Sequence, residues 1–217
     1  MKLVVRERKL NEREVGGSAL KEQAHVSNRS TKETLERFLK HEKLPTFERR
    51  HSKPAGFYTS SAAGAGSKRR SDWYGFMNSE HYGTAECILI FAVSPSAKVE
   101  LVENLQDFDD ILKRYGRSKY DDVLKSIGYR DRDVPAWDEM AKSVDGFRIT
   151  RQGARNIVHA SYGWDVEQTV WFNTSALTPI ELKKDSEVTA PKGSEEWYKQ
   201  KYDFKSQFET SAPYEDN

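Results

Sequence analysis

Apolar residues occur along this chain in short runs and stripes that predict a mixture of strands and helices. The run AECILIFAVS (85–94) is continuously apolar from Cys87 to Val93 and contains β-branched and aromatic residues, which is typical of a central buried strand. Other predicted strands are ALKEQAHVSN (19–28), which ends at Ser27, GFYTS (56–60), FRIT (147–150), VWF (170–172) and LTPIEL (177–182).

Helical periodicity is clearest in STKETLERFLKHE (30–42). Ser30 can cap this helix with Glu33 three residues later, while Leu35, Phe38 and Leu39 are expected to line one face. Further helices are predicted in DWYGFMNSEHYG (72–83), LQDFDDILKRYG (105–116), VPAWDEMAKSVDG (134–146) and EEWYKQKYDFKSQFE (195–209). With roughly six strands and four or five helices in no strict βαβ order, an α+β domain is predicted.

The amino-acid composition limits the kinds of partner and site that we expect for this protein. Lys and Arg number 35 and Asp and Glu 34, so a net charge of +1 gives no bulk attraction to nucleic acid or membrane. No apolar run approaches the roughly 20 residues of a membrane span, and the N-terminus lacks the apolar stretch of a signal peptide. The single cysteine, Cys87, excludes an intramolecular disulfide and a cysteine-based zinc site, and it favours a reducing, cytoplasmic location.

Two carboxylates stand close together in YGWDVEQTVWFN (162–173). If this segment is extended, Asp165 and Glu167 point to one face and repel each other unless a cation or hydrogen-bond donors offset the repulsion. The pair is either a solvated hairpin shoulder or an acidic site. The flanking Trp164 and Trp171 favour the second interpretation, because indoles place carboxylates in partly desolvated surroundings.

Other polar segments are weaker candidates. The loop GAGSKRR lacks the full spacing of a phosphate-binding loop, although Lys68, Arg69 and Arg70 could meet a phosphate. None of the five histidines has a partner at the i, i+4 spacing of a helical metal site, so no metal is expected. Tyr58 and Trp73 are either core residues or flat faces on which a ring could stack.

Read in order, the segments AHVS, KPAGFYTS, DWYGF, VDGFRIT and YGWDVEQTVWFN resemble the ADP-ribosyltransferase fold. More narrowly, they are similar to segments of small bacteriophage proteins with KPxGLW and YGWD…WN motifs. The resemblance implies an α+β fold of split mixed or antiparallel sheets with flanking helices, spanning residues 20–182. Residues 1–19 would then be an N-terminal extension, and residues 183–217 a charged C-terminal tail, partly helical or disordered.

The resemblance also implies NAD as the substrate and assigns roles to residues. Glu167 would be the catalytic residue, Asp165 its upstream partner, and His25 the first-strand residue that holds NAD by a ribose or a phosphate. The residues assigned to the NAD pocket are His25, Ser27, Tyr58, Thr59, Ser60 and Trp73. Asp165 departs from the usual Glu or Gln, and YTSS only approximates a compact STS triplet.

The expected function is transfer of ADP-ribose from NAD to a protein or nucleic-acid acceptor, in a phage protein acting in the host bacterial cytoplasm. NAD hydrolysis is an alternative reaction. A catalytically inactive fold that binds a host protein or a nucleic acid is the alternative function. These hypotheses differ in one geometric expectation: an enzyme requires Glu167 and His25 to converge, so their placement on opposite faces would exclude it.

Overall fold

The computed structural model describes residues 22–27, 29–40, 54, 56–61, 72–79, 87–119, 133–157, 164 and 166–203. The strands in this part of the chain are β1 (Glu22–Ser27), β2 (Phe57–Ser61), β3 (Cys87–Val93), β4 (Val99–Val102), β5 (Arg117–Lys119), β6 (Asp133–Pro135), β7 (Gly146–Ile149), β8 (Gln168–Trp171) and β9 (Leu177–Pro179). The α-helices are α1 (Thr31–Lys40), α2 (Asp72–Ser79), α3 (Leu105–Tyr115), α4 (Trp137–Met140), α5 (Arg151–Ile157) and α6 (Glu195–Lys201).

Seven strands form one mixed sheet in the order β4-β7-β8-β2-β1-β3-β9. The β4–β7 pair is parallel, and the other pairs in this sheet are antiparallel. Strands β5 and β6 form a separate two-stranded sheet. The α+β class predicted from the sequence is therefore confirmed.

Helices cover both faces of the large sheet. One face packs through Val170 and Phe147 against α3, α4 and α5, and its continuation over β1 and β3 packs against Trp73 of α2. The opposite face packs through Trp171 and Phe91 against α1 and the segment around α6. We refer to this second surface as the α1 face. Side chains at alternate positions of each strand point to it.

Helix α1 forms where the sequence predicts it, and for the predicted reason. The Ser30 hydroxyl accepts a hydrogen bond from the Glu33 backbone N–H at 3.2 Å, and the Glu33 carboxylate accepts from the Ser30 backbone at 3.4 Å. Leu35 and Phe38 are buried against the sheet. Leu39 is 56% exposed, so the expectation that it shares the buried face is wrong.

Helix α5 is an element that the sequence pattern did not predict. Its buried residues are Gly153, Ala154 and Ile157, which supply too little apolar surface for a recognisable helical stripe. A Cβ at position 153 would lie 2.1 Å from the Val102 carbonyl oxygen. The glycine is therefore required for the close approach of α5 to β4.

Residues beyond 182 are joined to the sheet as far as the structure describes them. The Ile90 backbone N–H donates to the Asp203 carbonyl at 3.2 Å, and the Asp203 N–H donates to the Ile180 carbonyl at 2.7 Å. Helix α6 confirms the helix predicted in the segment EEWYKQKYDFKSQFE, although α6 ends at Lys201. Its Trp197 is buried. The predicted domain boundary at 182 stays a prediction.

We expect Glu195→Ala to lower the free energy of unfolding by about 1–2 kcal/mol, because this carboxylate caps another helix. Its two oxygens accept the backbone N–H groups of Thr31 and Lys32 at 3.1 and 3.0 Å, in the first turn of α1. Urea unfolding followed by tryptophan fluorescence measures the effect. Glu196→Ala is the matched control on the exposed side of α6, and equal losses in the two variants would contradict the capping role.

Every helix in the described ranges is too short or too polar to cross a bilayer.

Candidate active site

Strands β1 and β2 separate at His25. Their ladder includes Gln23 opposite Ser61 and Ala24 opposite Ser60, and it extends no further along the described strands. At the next position His25 meets β2 through its side chain instead, with Nδ1 2.7 Å from the Tyr58 carbonyl oxygen. A side chain thus occupies the place where the strands cease to pair.

The contacts of His25 fix its chemistry. A carbonyl oxygen only accepts hydrogen bonds, so Nδ1 is the donor, and Nε2 of the neutral ring is an acceptor. The ring stacks on Phe57 with centroids 4.2 Å apart. Burial lowers the pKa of His25 from 6.5 to about 4, against the smaller opposing effect of the Tyr58 hydrogen bond. At neutral pH the structure therefore offers an uncharged imidazole.

The lowered pKa of His25 predicts a loss of stability in mild acid. Between pH 6.5 and about 4 the unfolded chain binds a proton at this ring and the folded chain does not, so the free energy of unfolding falls as pH decreases through that window. His25→Asn keeps a donor near Nδ1 but does not titrate there. Urea unfolding from pH 4 to pH 7 should show a shallower dependence for the variant, and identical curves would contradict a His25 that stays neutral in the folded chain.

Glu167 directly precedes β8 and is 5% exposed. Its Oε2 accepts the Ser61 backbone N–H at 2.9 Å, and its Oε1 accepts the Ser61 hydroxyl at 3.1 Å. The Arg148 guanidinium, equally buried, lies 3.3 Å from Oε1 and donates to the Ser61 hydroxyl at 2.9 Å. Three donors converge on the carboxylate, an arrangement that stabilises negative charge away from water.

His25 and Glu167 lie on the same face of the sheet. Gln23 and His25 share a face of β1 because they are two residues apart. The Gln23 side chain contacts the Ser61 hydroxyl at 3.5 Å, and that hydroxyl contacts Glu167. Contacts thus link Gln23, two residues from His25 on β1, through Ser61 of β2 to Glu167, all on the α1 face.

Thr59 and Ser27 also belong to the α1 face. Thr59 is buried, donates to the Gln23 side chain at 2.9 Å and accepts from the Trp171 indole at 2.8 Å. Ser27 lies at the end of β1, where its hydroxyl accepts from the Arg29 backbone at 3.2 Å. Of the predicted residues, Thr59 and Ser27 therefore accompany His25 and Glu167.

Tyr58, Ser60 and Trp73 belong to the opposite face. Tyr58 packs against the core formed with α3 to α5, and its hydroxyl donates to the Pro54 carbonyl at 2.5 Å. Burial raises the pKa of Tyr58. Ser60 alternates with Thr59, and Trp73 packs over β1 and β3. The structure does not bring these three side chains together with His25 and Glu167.

Two residues of the site were not singled out from the sequence. Ser61 directly follows the predicted Thr59 and Ser60, and only the strand register shows that it faces Glu167. Arg148 is a polar residue between the apolar Phe147 and Ile149, a pattern that usually indicates a solvent-facing position. The sequence alone does not distinguish a solvent-facing arginine at this position from an arginine in a buried ion pair.

Several predicted features lie outside the described residues. Asp165 is one of them, so the predicted pairing of its carboxylate with Glu167 stays a prediction, and β8 begins only at Gln168. The basic residues Lys68, Arg69 and Arg70 are also outside the described ranges. Within those ranges, no three His, Cys, Asp or Glu side chains are grouped to hold a metal ion.

Comparison of the chain with protein-family models, curated proteins and solved structures finds no match.

Proposed function

We propose that this protein cleaves NAD and transfers its ADP-ribose to a macromolecular acceptor, with Glu167 as the catalytic carboxylate. The observation that carries the proposal is the placement of His25 and Glu167 on one sheet face, with His25 where β1 and β2 cease to pair and Glu167 beside Ser61. The order of motifs that resembles the ADP-ribosyltransferase fold supports the same reaction.

The chemistry requires stabilisation of positive charge. The bond between ribose C1′ and the nicotinamide nitrogen breaks, nicotinamide leaves with the bonding electrons, and the ribose gains oxocarbenium character. A buried carboxylate beside that ribose stabilises the cation, as carboxylates do in glycoside hydrolysis. An acceptor nucleophile then bonds to C1′ and releases its proton. Glu167 is suited to the first role because three donors support its charge.

His25 has the properties of a hydroxyl receptor. Its Nδ1–H is engaged with Tyr58, so the neutral ring offers a lone pair at Nε2. A lone pair accepts from a ribose hydroxyl and repels a phosphate oxygen. Of the two ligand groups expected from the sequence, the ribose is therefore the one that His25 would bind. Phe57, stacked on the imidazole at 4.2 Å, adds an apolar surface next to it.

The experiment is NAD binding by calorimetry together with nicotinamide release by the purified protein, with and without bacterial lysate. Binding and lysate-dependent release, with label from adenine-labelled NAD appearing on a macromolecule, are expected for a transferase. Release without transfer would indicate hydrolysis. Neither binding nor release would overturn the proposal.

A binding module without catalysis is the second candidate function. The specific observation in its favour is the burial of the Glu167–Arg148 pair, since such pairs also occur as structural elements of cores. It differs from the first proposal in predicting no NAD-dependent signal in either assay.

A further inference from the structure

Arg148 occupies a distinctive place beside the candidate catalytic carboxylate. It lies on β7, two strands from β2, yet its guanidinium contacts both Ser61 of β2 and Glu167, the residue before β8. Its side chain is 6% exposed, as is that of Glu167. One side chain of β7 therefore contacts β2 and the residue that leads into β8.

The hydrogen bonds of the Ser61 hydroxyl define the orientation of its proton. A hydroxyl has one proton to donate and two lone pairs to accept with. Ser61 receives a hydrogen bond from Arg148 at 2.9 Å, and its own proton points to Glu167 Oε1 at 3.1 Å. Because Arg148 can only donate, it orients the hydroxyl so that the proton faces the carboxylate.

The guanidinium also acts on Glu167 directly. Its Nη2 atom lies 3.3 Å from Oε1, while the Ser61 backbone holds Oε2 at 2.9 Å. Each carboxylate oxygen thus has a donor, which restricts rotation of the group about its last torsion. A carboxylate held in this way needs no reorganisation when positive charge develops near it.

We propose that Arg148 is a positioning residue for Glu167, which fixes the place and charge of the carboxylate through Ser61 and through their ion pair. The proposal rests on the function proposed above. Arg148 touches neither substrate nor reacting atoms in this role, and its effect on the reaction passes entirely through Glu167.

Lysine is the informative replacement for Arg148. It keeps the positive charge, so Glu167 is not left alone in the core, but a single ammonium cannot reproduce the planar fork of the guanidinium. Methionine would leave a buried carboxylate without its cation and lower the stability of the fold, so a change in rate could not be assigned to geometry. The Arg148→Lys variant therefore separates geometry from charge.

The experiment measures nicotinamide release against NAD concentration for wild type and Arg148→Lys, after near-ultraviolet circular dichroism has verified the fold at the assay temperature. We expect kcat to fall about 10- to 100-fold and KM to change by less than about threefold, because a misplaced catalytic group weakens transition-state interactions only. Arg155→Lys is the matched control, since Arg155 is exposed on α5.

A second variant tests whether Arg148 acts on Glu167 through the Ser61 hydroxyl. Ser61→Ala removes the hydroxyl through which Arg148 acts, so Arg148→Lys should have a smaller effect on kcat in that background than in the wild type. Independent, multiplicative losses would overturn the positioning role, and so would an unchanged kcat or a selective rise in KM for Arg148→Lys. A wild-type protein that is folded but releases no nicotinamide would overturn the proposed function and the positioning role together.

Discussion

Arg148→Met is expected to lower the free energy of unfolding by about 3–5 kcal/mol, because it leaves a buried carboxylate without its cation. Arg148 and Glu167 each have side chains that are only 6% exposed, so water cannot replace the lost partner. Ser61 loses a donor at the same time. Urea unfolding monitored by fluorescence and circular dichroism measures the loss.

Arg114→Met is the matched control for this prediction. Arg114 also pairs with a buried carboxylate, that of Glu100, but its own side chain is 38% exposed and Tyr115 donates to Glu100 at 2.7 Å. Solvent and Tyr115 offset its removal, so we expect a loss of about 1 kcal/mol. Equal losses in the two arginine variants would contradict the account of the buried pair.

The double variant Arg148→Met/Glu167→Gln separates the ion pair from the packing of the two side chains. Once both charges are absent, the amide oxygen at position 167 still accepts from Ser61, and most of the lost stability should return. A double variant that loses the sum of the single losses would show that the two side chains contribute independently, against the structure.

The sequence contains much of the information that specifies the individual elements. Helix α1 follows from the Ser30 and Glu33 capping residues and from the spacing of Leu35 and Phe38, all of which are local. Strand β3 follows from its continuous apolar run. Helix α5 was not predicted, because its position depends on a close backbone contact at Gly153 that no local pattern expresses.

The candidate site depends more strongly on register. Glu167 and His25 were identified from motif order, and the structure brings them to one face through Gln23 and Ser61. Tyr58 was also identified, but its position in β2 turns it to the other face. A shift of one residue along a strand moves each side chain to the opposite face of the sheet. The sequence therefore predicts a polar segment more reliably than it predicts which side chain of that segment faces the site.

Glu167→Gln is expected to reduce the rate of nicotinamide release by about 10²- to 10³-fold, the effect of removing a preorganised charge from a developing ionic transition state. The amide keeps the shape of the side chain and one oxygen that accepts from Ser61, but it places an NH2 group at the position of the second oxygen and lacks the negative charge. Glu167→Asp keeps the charge and withdraws it by one methylene, so we expect an intermediate rate.

Glu100→Gln provides the matched control. Glu100 is 7% exposed, pairs with Arg114 and accepts from Tyr115, so this change also neutralises a buried, arginine-paired carboxylate. Its strand, β4, is at the edge of the sheet beside β7, and three strands separate it from β1 and His25. Any general cost of neutralising such a group should therefore appear in both variants.

The most direct test of the central claim is the initial rate of nicotinamide release from NAD by folded wild-type, Glu167→Gln and Glu100→Gln proteins at one temperature. A catalytic Glu167 predicts release by the wild type, retention of most of that rate in Glu100→Gln, and its loss in Glu167→Gln. Release that is unchanged in Glu167→Gln, or equally reduced in both variants, would contradict it.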